Sequence, residues 1–155
     1  MSKTGEFYKG IHTETYYSRE EIVERLSDEY IRGLIEGEGY FGPDTRQNGA
    51  KVPEFVLRMH VRDKELKELK ELKELIEAIR DYLNIPNRIY EYTHQDRHYA
   101  MLIIREIGAL KNKILPLCNK RLLGHKGAQF DWWLRKFPYL GGRERDRTPV
   151  LSDVN

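Results

Sequence analysis

Ser27-Asp-Glu-Tyr-Ile-Arg-Gly-Leu-Ile-Glu-Gly-Glu-Gly-Tyr-Phe-Gly42 is the stretch on which the fold turns. Ser27 can cap a helix, and Asp28 and Glu29 suit its positive first turn. The helix runs through Tyr30 to Glu36 and must stop near Gly37 and Gly39, after which Tyr40 and Phe41 open a strand. Gly33 does not fit this account, because an interior helical glycine costs about 1 kcal/mol. A helix end explains Gly37 and Gly39 but not Gly33. Gly33 and Gly37 stand four apart, on one helix face where another backbone can approach closely.

Working outward, Ser18 and Glu21 form a capping box that opens a short helix, Arg19 to Leu26. Downstream, the first strand is expected to break at Gly42-Pro43 and again at Gln47-Asn48-Gly49. Residues Glu54 to Arg62 alternate, with Phe55, Leu57, Met59 and Val61 on one face and Arg58, His60 and Arg62 on the other. Asp63 then caps a long helix holding four Lys-Glu-Leu repeats between Lys64 and Leu75. Leucines every three residues drift around a 3.6-residue helix and make no heptad seam; Leu66, Leu69, Leu72, Ile76, Ile79 and Leu83 trace its apolar face. A second hairpin follows, Arg88 to His94 and Arg97 to Arg105. A helix from Glu106 to Leu115 ends at Pro116, and a last helix runs from Lys126 to Phe137. This divides the chain into an arm and short helix (1–27), a main domain (28–138) and a polar tail (139–155).

The whole chain has 155 residues and a mass of 18.5 kDa, enough to bury a core without disulfides or structural metal. Cys118 is the only cysteine, which excludes a disulfide framework, a Cys-rich zinc site and a CxxC redox pair. No apolar run approaches the length of a membrane span, and the first residues lack a signal-peptide core. The expectation is an intracellular protein that is neither secreted nor bound to a membrane. Net charge is +2, but residues 1–40 carry five Lys/Arg against nine Asp/Glu, while residues 84–147 carry thirteen against six. A basic face can hide behind such a total.

Two hairpins interleaved with helices predict an α+β fold, α-β-β-α-β-β-α, with helices covering one face of an antiparallel sheet. The other face would carry Arg58, His60, Arg62, Arg88, Tyr90, Tyr92, His94, Arg97 and Tyr99. Arginine, histidine and tyrosine in that concentration are unusual for a surface that only meets water.

The nonamer Ile31-Arg-Gly-Leu-Ile-Glu-Gly-Glu-Gly39 resembles the signature of the LAGLIDADG homing endonucleases. Both acids of the motif appear here as glutamates, and Arg32 replaces a small residue. The order of elements from Tyr30 to Phe137 is similar to that family as well. The resemblance implies that Glu38 binds a catalytic divalent cation together with the Gly37 carbonyl. It implies that Lys126 stands near the scissile phosphate and that Asp63 organises solvent. With a single motif per chain, the active species would be a homodimer joined through Gly33, Leu34 and Gly37. The implied activity is site-specific, metal-dependent cleavage of both strands of a long double-stranded DNA site, of intron-encoded type, with no small-molecule substrate. Mg2+ is the implied cofactor, or another divalent cation such as Mn2+, with Ca2+ supporting binding but little cleavage. An intron RNA maturase and a non-cleaving DNA-binding regulator are alternatives on the same scaffold.

Overall fold

The computed structural model describes residues 17–62 and 66–141, with the side chains of Leu66 and Lys67 excepted. Asp63, residues 1–16 and most of the tail lie outside the described residues. Helix α1 spans Arg19–Arg25 and α2 spans Asp28–Glu38. Strands β1 and β2 are Gly39–Thr45 and Lys51–Val61. Helix α3 is Leu66–Leu83, and β3 and β4 are Tyr90–His94 and Arg97–Ile104. Residues 107–118 form α4, whose middle turn, Leu110–Ile114, is π-helical. Helix α5 is His125–Lys136, followed by a 3-10 turn at Pro138–Leu140. Among the described residues no helix is long and apolar enough to cross a membrane.

The helix starts follow the expected chemistry. The Ser18 hydroxyl accepts the Glu21 N–H while Glu21 accepts the Ser18 N–H at 2.9 Å, and the Ser27 hydroxyl accepts the Tyr30 N–H at 3.1 Å. Each bond satisfies a donor that the first helical turn leaves orphaned. Arg19 ties α1 onto α3 through Glu77 at 2.8 Å.

The sheet is antiparallel throughout, in the order β1-β2-β4-β3. Phe41, Phe55, Leu57, Ala100, Leu102 and Ile104 point to one side. There they bury against Ile31 and Ile35 of α2, Leu72, Ile76 and Ile79 of α3, and Phe130 and Trp133 of α5. This one-sided burial is what forces the period-two alternation in β2 and β4. The α+β expectation holds.

Two boundaries expected at prolines differ, and β2 and β3 begin at Lys51 and Tyr90 instead of Glu54 and Arg88. First, β1 runs straight through Gly42-Pro43 instead of breaking there. The Arg46 N–H bonds to the Ala50 carbonyl at 2.8 Å, so the alternating ladder leaves the Pro43–Pro53 pair at a non-hydrogen-bonded position, where the partner strand needs no N–H donor. Pro43 is on an edge strand, and β4 joins β2 only from Phe55 onward, so neither proline removes a needed bond. The turn itself falls at Arg46 to Gly49, where Gly49 has φ +87°, a conformation glycine adopts freely. Second, α4 passes through Pro116 and ends at Cys118. The π-helical turn just before Pro116 accommodates a residue that cannot donate to the helix ladder.

Candidate active site and nucleic-acid interface

Helix α2 places the motif. Ile31 and Ile35 are buried, and the opposite face exposes Tyr30, Gly33 and Gly37, three and seven residues along one stripe. Leu34 sits at its edge, partly buried against the core. A Cβ added at Gly33 or Gly37 would meet nothing within 4 Å, so no contact among the described residues requires glycine there. Gly39 is different. A Cβ there would stand 2.9 Å from the Ile35 carbonyl oxygen and Cγ2, so the helix-to-strand turn admits only glycine. Leu123, in the loop before α5, is 94% exposed and shares a shallow surface depression with Arg32, Gly33 and Glu36.

Glu38 ends α2 and is exposed; among the described residues it has no hydrogen-bond or ion-pair partner. It opens into a recess of about 560 Å³, floored by Val56, Arg58 and His60 of β2 and by Arg97, Tyr99 and Met101 of β4. The acid thus adjoins the open face of the sheet. Among the described residues no group of three or more His, Cys, Asp or Glu could hold a metal ion. Among the described residues the recess lining offers one carboxylate, Glu38, and the adjacent backbone carbonyls, a donor set that suits Mg2+ only with a second carboxylate or substrate phosphate oxygens.

Lys126 occupies the first turn of α5, partly buried, and does not line the recess around Glu38. Glu36 brings the two regions together: its carboxylate accepts the backbone N–H groups of Leu123 and Gly124, the latter at 3.2 Å. Gly124 is the N-cap of α5 and has no side chain to cap with, so Glu36 supplies the cap from another helix. Farther along α5, Gln129 Oε1 accepts the outward N–H of Phe41 at 2.8 Å, and Trp133 Nε1 donates to the Gly42 carbonyl at 3.0 Å. These bonds cover the β1 edge. Sequence spacing held no signal for Glu36 as a cap, because its partners lie 87 and 88 residues away.

Arg32 departs from the small residue of the motif for a local reason. It is largely buried, and its Nη1 donates to the Leu117 carbonyl at 3.1 Å, at the end of α4, while Nη2 lies 3.5 Å from Glu29. A cation there satisfies an orphan carbonyl and suits the negative helix terminus. Burial pushes the neighbouring Cys118 thiol up to about 12, with Arg32 opposing, so the chain's cysteine is no nucleophile at neutral pH.

The open sheet face gathers the expected side chains. Across the register, Met101 lies between Arg58 of β2 and Tyr90 of β3, Tyr99 lies between His60 and Tyr92, and Arg97 pairs with His94. Arg62 lies just past β2, and Arg88 lies before β3, its guanidinium 4.6 Å from the Tyr90 ring centre. Tyr99 is on this face but only 9% exposed. It stacks on Tyr92 at 4.7 Å and 8°, and lies 5.3 Å from His60. It therefore supports its neighbours and offers little ring surface to a ligand. At the far end of the face, Arg105 is held by Glu54 at 2.8 Å and Asp44 at 3.3 Å, which neutralises it.

Comparison with solved structures gives the same architecture. The homing endonuclease I-TnaI matches with a TM-score of 0.55 at 24% identity, covering 75% of this chain and 74% of that one. The LAGLIDADG homing endonuclease I-GzeII, solved in complex with its DNA target, matches at 0.58 and 19%, covering 79% of this chain. I-LtrWI, a LAGLIDADG homing endonuclease bound to target DNA, matches at 0.56 and 25%, covering 80%. The chain spans only 38% and 39% of the I-GzeII and I-LtrWI chains. No family model matches it, and no curated protein sequence does. With helices on one side of a four-stranded antiparallel sheet and the motif helix leading into its first strand, the chain has the LAGLIDADG homing endonuclease fold.

Proposed function

We propose that this chain is a homodimeric, site-specific DNA endonuclease of the LAGLIDADG type that cleaves with the help of a divalent cation. The observation that carries the proposal is Glu38: a carboxylate at the end of the motif helix, without a partner among the described residues, opening into a recess lined by the Arg, His and Tyr residues of the sheet face.

The sheet face would lie in the major groove, which admits a two-stranded ribbon and displays distinguishable base edges. The exposed Tyr30-Gly33-Gly37 stripe, with Leu123 beside it, would pack on the same stripe of a second copy, since isologous contact is the common route to a dimer. The 38–39% coverage of the two DNA-bound neighbours fits a chain that supplies one half of such a site. Pairing would bring two Glu38 carboxylates together, and their repulsion is relieved by cations between them. A bound Mg2+ or Mn2+ would stabilise charge on the phosphoryl oxygens and lower the pKa of an attacking water. Glu38 and the Gly37 carbonyl would hold that ion. Lys126, in the first turn of α5, would offset charge on the phosphate from the protein side. Asp63 would orient solvent.

The test is direct. A target enriched from a randomised duplex library should be cut on both strands in Mg2+ and bound without cutting in Ca2+. Binding with no scission in Mg2+ or Mn2+ would instead favour the non-cleaving regulator.

A further inference from the structure

The open sheet face displays several arginines, but they are not equivalent. Arg105 is spent on Glu54 and Asp44. Arg88 precedes its strand and rests over Tyr90 at the sheet edge. Arg58 stands in the middle of β2, an inner strand, and its side chain is exposed. Among the described residues no carboxylate forms an ion pair with it. Its contacts are neutral: Nη1 donates to the Tyr92 hydroxyl at 3.2 Å, and the guanidinium lies 5.2 Å from the Tyr99 ring centre. Tyr92 and Tyr99 are themselves stacked at 4.7 Å and 8°. No carboxylate among the described residues therefore offsets Arg58, and one of its five donors is engaged.

From this contrast we propose that Arg58 reads a guanine in the major groove, and that Tyr92 is its positioning residue. Resting on the DNA-binding reading above, the inference names one base and the side chain that recognises it. Guanine presents O6 and N7 as adjacent acceptors, which match two parallel guanidinium N–H groups. An arginine already held at its flank by a hydroxyl and an aromatic wall loses less rotamer freedom on binding than a free one. Tyr92 thus contributes by fixing the plane of the guanidinium, and Tyr99 by backing Tyr92. The sequence shows nine side chains on this face without distinguishing them; the ion pairs and rings make the distinction.

The experiment is enrichment of a randomised duplex library in Ca2+ by wild type, Arg58→Lys, Arg58→Ala and Tyr92→Phe, with sequencing of the bound pools. Wild type should select guanine at one position per half-site. Arg58→Lys, which keeps the charge but not the fork, should lower that preference by roughly tenfold and leave every other position unchanged. Tyr92→Phe should retain the same guanine preference in weakened form, a result that a merely structural role for Tyr92 would not give, since that would lower affinity evenly across all positions. Unchanged profiles for both Arg58 variants, or loss at a position that is not guanine, would overturn the inference while DNA recognition stands. No enrichment by wild type would overturn the DNA-binding reading and the inference with it.

Discussion

The Glu36 carboxylate accepts the backbone N–H of Gly124 at 3.2 Å and that of Leu123 beside it, so the motif helix caps the helix that carries Lys126. A carboxylate at a helix N-terminus satisfies orphan donors and meets the positive end of the dipole. Glu36→Ala should therefore cost about 1–2 kcal/mol in urea unfolding, and Glu36→Gln, which keeps an acceptor but not the charge, should cost less. Equal losses for the two variants would show that the charge alone matters, and no loss in either would show that Glu36 does not stabilise the start of α5.

Glycines at two ends of the same motif should respond with opposite signs. Gly39→Ala puts a Cβ 2.9 Å from a backbone oxygen and should destabilise by about 1–3 kcal/mol. Gly33→Ala enters open space and removes an interior helical glycine, so thermal unfolding of dilute protein should show a gain of up to about 1 kcal/mol. The same change should weaken self-association, and Gly33→Leu should abolish it. Sedimentation that finds Gly33→Leu as tightly dimeric as wild type would place the interface elsewhere.

Much of this architecture is legible in the sequence, and the reason is burial. The alternation of residues 54–62 and 97–105 follows from one buried face, and the caps at Ser18 and Ser27 are local chemistry. The course of β1 through Gly42-Pro43 is not legible, because whether a proline is tolerated depends on which N–H groups the neighbouring strands need. The passage of α4 through Pro116 depends likewise on a π-helical turn that has no sequence signature. At the site, the open-face residues are legible from period two. The difference between Arg58, without a carboxylate partner among the described residues, and Arg105, clasped by two, is not, because Arg105 pairs with residues 51 positions away or more.

Alkaline pH should test the burial of Cys118. Its thiol is raised from 9.0 to about 12 in the folded chain, chiefly by burial. Below pH 9 both states hold the proton and the contribution is fully present. Between pH 9 and 12 the unfolded chain loses the proton first, so stability falls as pH rises. The loss should be roughly 2 kcal/mol by pH 10.5, read from urea midpoints. Cys118→Ala should show a shallower decline over the same range, since the other titrating groups are common to both. Identical slopes would mean that the thiol is accessible in the folded state.

The most direct test of the central claim separates binding from scission at Glu38. Glu38→Gln keeps the size of the side chain and the end of α2 but removes the charge proposed to hold the cation. DNA affinity measured in Ca2+ should be equal to or slightly above wild type, because carboxylates near the phosphates have been neutralised. Single-turnover cleavage in Mg2+ should fall by at least about a hundredfold, since cation stabilisation of the phosphoryl oxygens contributes several kcal/mol and each 1.4 kcal/mol is tenfold in rate. Cleavage by Glu38→Gln at the wild-type rate would contradict the account at its central residue.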